Sequence, residues 1–269
     1  WQIENGVAGI IVGGSTGEFY ALSKEERIQQ FEFAAERINS RVEFMAGVND
    51  IRVDECLQIS SAAVDAGAKS LLVAAPPYSL PSEEELANHV LEIANKTGLP
   101  IMLYNYPGRT GVEMGENFLD IVANNPLIAA IKESSGDYSR LPLLSNNYSS
   151  IELAVGGEEQ VLEFAAWGAK SWVCATANFF PSECVQLMDI LGKQSDFEKG
   201  RRLMAAFMPL MKALEQGGKF LQCVKLGCEQ QGRPSGKVRL PLLPIEDSLR
   251  KEMIGVIDET RSSLHSILN

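Results

Sequence analysis

Apolar residues come along this chain in short continuous runs, and each run is followed by a longer segment with apolar positions three and four apart. VAGIIVGG (7–14) precedes SKEERIQQFEFAAERI, and VEFMAGV (42–48) precedes VDECLQISSAAVDAG. SLLVAA (70–75) precedes SEEELANHVLEIANKTG, and PIMLYNY (100–106) precedes ENFLDIVANN. LIAAIKES (127–134) precedes a weaker helical stretch from Tyr138 to Asn146, and IELAVGG (151–157) precedes EQVLEFAAWGA. SWVCAT (171–176) precedes a helical region from Ser182 to about Gln216, long enough for two helices. Runs this uniformly apolar are what a parallel sheet covered on both faces requires. Ser23 with Glu26, and Ser82 with Glu85, are capping boxes that mark two of the helix starts.

Seven strand–helix units with short loops, undivided by any Pro/Gly/Ser linker, predict either an open doubly wound sheet or a (β/α)8 TIM barrel. The doubly wound alternative wants a glycine-rich nucleotide loop after its first strand, and GGSTGE has neither GxGxxG spacing nor a phosphate-loop lysine. The opening WQIENG reads as the last turn of a helix with a glycine stop. The expectation is therefore that a first strand–helix unit precedes residue 1, which brings the count to eight. On this reading residues 1–181 carry seven visible units of the barrel. Residues 182–269 supply its last helix and a C-terminal helical region within the same domain.

Charge and composition narrow the partners. Twenty-four Lys+Arg stand against 35 Asp+Glu, for a formal charge of −11. Such a surface argues against nucleic acid and against anionic membranes as partners. No apolar run approaches a membrane span, and no signal peptide opens the chain. The five cysteines are odd in number and lack a CxxC, so they read as buried free thiols suited to a reducing cytoplasm. Only two histidines occur, His89 and His265, both on helical stretches. A multi-histidine metal site is thereby all but excluded.

A barrel places its chemistry at the C-terminal ends of its strands. Of the 12 lysines, Lys69 and Lys170 stand at strand starts, and only Lys132 follows an apolar strand at its C-terminal end. A desolvated lysine there is partly the free amine, a nucleophile toward ketones whose Schiff base acts as an electron sink. Such chemistry needs a proton shuttle. Tyr104, on the preceding strand, is the nearest candidate, whereas Glu133 alternates to the other side of its strand. From position alone, a rim ion pair with a carboxylate fits Lys132 as well as a nucleophile does.

GGSTGE at 13–18, YNYPGRTG at 104–111 and IKESSGD at 131–137 together resemble the pyruvate-dependent class I aldolases of the dihydrodipicolinate synthase / N-acetylneuraminate lyase family. The resemblance runs from about Gly6 to Pro244. It implies a (β/α)8 barrel with C-terminal helices, assembled as a homotetramer of two tight dimers, and a lyase that needs no cofactor beyond the covalent adduct. It makes Lys132 the Schiff-base residue for pyruvate or another 2-oxo acid and Tyr104 the general acid/base. Ser15 and Thr16 would bind the 2-oxo acid's carboxylate. Ser15 would also link Tyr104 to Tyr78 (in APPYSLPS) reaching in from a neighbouring subunit. Gly156 and the carbonyl of Val173 would complete the pocket floor.

Arg109 sorts the branches of that resemblance. In the synthases the same arginine holds the carboxylate of aspartate semialdehyde, whereas the sialic-acid lyase branch lacks it. A loop arginine in a surface ion pair is the plainer alternative. The expected function is thus 4-hydroxy-tetrahydrodipicolinate synthase, in lysine biosynthesis. Two departures keep open another aldolase, dehydratase or deaminase acting on a sugar-acid or hydroxyproline-derived 2-oxo acid. GGKFLQCVK (217–225) replaces the usual NPxPVK, and VGGEE replaces SGDD. A catalytically silent 2-oxo-acid sensor is the third reading, which the retained Lys132, Tyr104 and Ser15 oppose. Phe19, Tyr20 and Arg27 would fill and repel a feedback site for lysine.

Overall fold

In the computed structural model, which describes residues 1–269, residues 8–154 form one compact unit, and residues 1–7 with 155–269 form a second. The fold is α/β, of TIM-barrel type with C-terminal helices.

The first unit alternates strand and helix. It contains β1 (Gly9–Val12), α1 (Lys24–Ile38), β2 (Glu43–Gly47), α2 (Val53–Asp65), β3 (Ser70–Ala74) and α3 (Glu83–Thr97). It continues with β4 (Ile101–Asn105), the single turn α4 (Pro107–Thr110), α5 (Glu116–Val122), β5 (Ile128–Glu133) and α6 (Arg140–Asn147). β6 (Glu152–Val155) follows, and the strands hydrogen-bond in chain order. Pairing from β1 through β5 is parallel. Both capping boxes form. Ser23 and Ser82 accept from the backbone N–H of Glu26 and Glu85, whose carboxylates accept in return. β3 and β4 are buried almost throughout, as strands covered on two faces must be.

The second unit holds α7 (Val161–Ala166), β7 (Ser171–Trp172), α8 (Pro181–Gly192), α9 (Phe197–Gln216), α10 (Phe220–Gln230) and α11 (Asp247–Leu268). The long helical region of the sequence is indeed two helices, broken where Ser195 takes φ 53° and Asp196 caps α9. β7 is much shorter than SWVCAT suggested. Its pairing runs out at Val173, whose N–H donates to Val155 at 3.0 Å. Beyond it, the buried Glu158 carboxylate accepts from the N–H groups of Ala175 (2.6 Å) and Thr176 (3.2 Å) and from the Thr176 hydroxyl (2.6 Å). A carboxylate that captures successive backbone donors turns the chain away from a ladder. At the N-terminus, Ile3–Asn5 forms one 3-10 turn stopped by Gly6 at φ 91°, as the glycine there implied.

None of the five cysteines is in a disulfide; three are buried and two half-buried. Burial pushes the Cys56 thiol up to about 12, so it is a packing group rather than a nucleophile. No helix is long and apolar enough to cross a membrane.

The GGSTGE turn is built by contact with β2. Gly13 sits at φ 78°, and a Cβ on Gly47 would run into the Gly13 carbonyl. Neither neighbour is a side-chain end that can swing away. Gly47→Ala should therefore destabilise the protein by about 1–3 kcal/mol. Gly192→Ala, where nothing lies within 4 Å, should be neutral or stabilising by up to about 1 kcal/mol. Urea denaturation of the two variants checks this, and equal stabilities would contradict the close approach.

Candidate active site

Parallel pairing puts Tyr104 of β4 beside Lys132 of β5, and Asn105 beside Glu133, at the C-terminal ends of both strands. Lys132 Nζ lies 4.0 Å from the centroid of the Tyr104 ring. Tyr104 is only 6% exposed, while Lys132 is half-buried. The aromatic face offers a cation a foothold of about 0.5–2 kcal/mol that a neutral amine does not lose by leaving. The sequence of contacts continues outward. The Tyr104 and Tyr106 rings are 5.8 Å apart, and the Arg109 guanidinium stands 5.2 Å over Tyr106. Two cations thus sit at the ends of a two-ring ladder.

The opposite side of β5 is a closed polar network. Glu133, 1% exposed, accepts from Asn105 Nδ2 (2.9 and 3.1 Å), from the N–H of Ser135 (2.7 Å) and from Arg140 Nε (2.7 Å). Glu133 therefore faces away from Lys132, as strand alternation predicted, and its lone pairs are committed to structure. Removing one partner of a buried pair such as Glu133–Arg140 costs about 3–5 kcal/mol, because the other is left an uncompensated charge. Sequence reasoning missed Asn105 and Arg140. Asn105 lay unread within YNYPGRTG, and Arg140 lay unread at the start of the weaker helical stretch from Tyr138 to Asn146.

Ser15 and Thr16 lie half-buried on the turn after β1, which is closed by hydrogen bonds from Gly17 N to Gly14 O (3.0 Å) and Glu18 N to Ser15 O (3.2 Å). Glu18 leaves that turn buried at φ 57°. Tyr20 is half-exposed; burial raises its hydroxyl pKa first, and Glu18 adds to the rise while Arg109 opposes it. Tyr78 stands apart from the other candidates. It is 93% exposed and holds φ 75°, a left-handed backbone uncommon for a bulky residue. Gly156 and Val173 belong to the second unit, where both are half-buried at the ends of β6 and β7. Glu158, not singled out from the sequence, shapes the turn that follows Val173.

Arg27 is buried structure rather than the lysine-repelling cation expected. It is not a cation presented to a ligand, for it is 1% exposed and donates to the carbonyls of Gly47 and Asn49, both at 2.9 Å. Asp50, 3.2 Å away, balances its charge, and burial lowers its pKa. Its guanidinium lies 5.3 Å over Phe19 and ties that turn to the end of β2. Arg109, by contrast, is exposed and stacked on an aromatic ring rather than ion-paired. No group of three or more His, Cys, Asp or Glu side chains is arranged as metal ligands.

The model of the dihydrodipicolinate synthetase family matches residues 1–260. The chain belongs to this family. Among its relatives, a 4-hydroxy-tetrahydrodipicolinate synthase of Methanocaldococcus jannaschii is 33% identical over 262 residues, covering 96% of this chain and 88% of the relative. One from Bacillus velezensis is 30% identical over 265 residues, covering 96% and 89%. The solved synthase of Methylacidiphilum fumariolicum SolV superposes with a TM-score of 0.93 at 29% identity, covering 99% of this chain and 89% of the other. The chloride-inhibited synthase of Acinetobacter baumannii, solved with pyruvate, gives 0.90 at 28%, covering 97% and 89%. The family and the fold read from GGSTGE, YNYPGRTG and IKESSGD are those found.

Proposed function

We propose that this chain is a 4-hydroxy-tetrahydrodipicolinate synthase that joins pyruvate to aspartate semialdehyde through a Schiff base on Lys132. The observation that carries the reading is Lys132 Nζ held 4.0 Å over the Tyr104 ring at the ends of paired strands. The solved relative from Acinetobacter baumannii is a complex with pyruvate, which supports pyruvate as the 2-oxo acid. The free amine adds to the ketone carbon, giving a carbinolamine, and loss of its hydroxyl as water leaves the iminium. Tyr104 is the acid that protonates the departing hydroxyl and, as phenolate, the base that receives a proton in return. A proton then leaves the methyl carbon, its electron pair moving toward the iminium nitrogen, and the resulting enamine attacks the aldehyde carbon. The aldehyde oxygen takes up a proton to become the hydroxyl, and the amino group of the semialdehyde half attacks the iminium carbon, closing the ring and expelling the Lys132 amine. On this reading no separate cofactor takes part.

Ser15 and Thr16 are assigned to the carboxylate of pyruvate, whose negative charge a turn of backbone N–H groups and hydroxyls can accept. Arg109 is assigned to the carboxylate of the aldehyde, since its planar fork is exposed and no ion pair occupies it. That vacancy favours an acidic aldehyde over a neutral one. Tyr78 is assigned to the proton relay of a neighbouring copy in a homotetramer built from dimers. Its near-complete exposure and strained backbone support a role outside its own chain.

With pyruvate and aspartate semialdehyde as substrates, Tyr104→Phe should lower kcat by roughly 10²–10⁴. Arg109→Ala should raise the KM for the aldehyde by about 1.5–3 kcal/mol in binding while leaving that for pyruvate nearly unchanged. Turnover of a 2-oxo sugar acid in preference to this pair would contradict the substrate assignment. The shared tyrosine has its own test. Mixing inactive Tyr78→Phe and Lys132→Ala proteins under subunit exchange should restore activity, because one site of each mixed dimer then has both groups. No recovery in verified mixed oligomers would contradict the relay.

A further inference from the structure

Arg140 bridges two things that the proposed reaction needs at a fixed separation. Its Nε donates to Glu133, next to Lys132 on β5, at 2.7 Å. Its Nη2 donates to the carbonyl of Met114 at 2.8 Å, and its Nη1 pairs with Glu113 at 3.2 Å. Met114 closes the loop that carries Arg109. Its N–H donates to Asn105 Oδ1 at 3.0 Å, so both of its backbone polar groups are held, one by each end of the network. Within the loop, the Thr110 hydroxyl lies within hydrogen-bond reach of the carbonyls of Tyr106 (3.2 Å) and Val112 (3.0 Å). At Gly111, φ 73°, an added Cβ would fall 2.5 Å from Leu80 Cδ2. The loop is therefore held within itself and anchored at its base, where Asn105, Glu133, Met114 and Arg140 are all buried.

We infer that Arg140 is a positioning residue for substrate selection: through Met114 it sets the distance between the Lys132 nucleophile and the Arg109 guanidinium. Only a second substrate whose aldehyde carbon and carboxylate match that distance is then held for attack. The inference rests on the reading of Arg109 as the carboxylate clamp. Glu133 is the fixed point because it is one residue from Lys132 and cannot shift without moving the strand end. Pyruvate, held by Lys132 and the turn after β1, makes no use of the loop, so loosening the base should penalise the two substrates unequally.

The experiment compares Arg140→Lys, Arg109→Ala, their double variant and the milder Glu113→Gln, each with a thermal melt. Lysine keeps the charge beside Glu133 but has no planar fork to hold Met114 as well. Arg140→Lys should raise the aldehyde KM about tenfold, the scale expected of a sub-ångström misplacement, with pyruvate KM changed less than about twofold. In the Arg109→Ala background the same substitution should add less than about twofold, because residues acting as one unit are not additive. Equal KM changes for both substrates, or full additivity with Arg109→Ala, would overturn the inference. Should Arg140→Lys fail to fold, Glu113→Gln, at an exposed position, decides: a rise in aldehyde KM alone supports the inference, and no rise overturns it. If Arg109→Ala itself shows no preference for the aldehyde, the reading of Arg109 falls and this inference with it. A selective Arg109→Ala beside an unselective Arg140→Lys overturns the inference alone.

Discussion

The Glu133 carboxylate is buried and accepts from Asn105, Ser135 and Arg140, and this arrangement fixes what its neighbour on the strand can do. Side chains on a strand alternate, so anchoring Glu133 on one side directs Lys132 to the other. The same Asn105 that meets Glu133 follows Tyr104, and the anchored register holds the tyrosine ring under the lysine amine. An ionised carboxylate taken out of water is tolerated only with this many donors. The network is thus costly to break and narrow in its geometry. That stiffness is what a nucleophile needs, since small misplacements of reacting groups are expensive in rate.

Charge poses a second constraint. The chain carries a formal −11, yet the proposed substrates are both carboxylates. Their capture must rest on local donors rather than on the field of the whole surface. Lys132 and Arg109 stand at the two ends of the Tyr104–Tyr106 ladder. The aromatic face under Arg109 supports its charge without neutralising it, as a carboxylate partner would. Arg27 and Arg140 show the contrast, each held against a carboxylate and buried for structure.

Much of this was legible in the sequence, because continuous apolar runs and helical spacing are both local signals. Strand ends followed directly, and Lys132 stood out as the lysine closing an apolar strand. Legibility failed where one distant side chain decides the backbone. β7 stops early because Glu158, more than ten residues upstream of the turn, takes its N–H groups. Arg27 looked like a free cation because the carbonyls of Gly47 and Asn49 that bind it have no sequence signature. Arg140 was invisible for the same reason: its partners are a carboxylate seven residues back and a backbone carbonyl 26 residues back. Tyr78 had its place in a motif, but its exposure in the single chain is a fact only coordinates could supply.

The central claim is that Lys132 is the amine that bonds to the 2-oxo acid. Reduction with borohydride in the presence of pyruvate, followed by peptide mass spectrometry, tests it most directly. The account predicts one reduced pyruvyl adduct per chain, on Lys132, and none in the Lys132→Ala protein. An adduct on a different lysine, or no adduct from the folded wild-type protein, would contradict it.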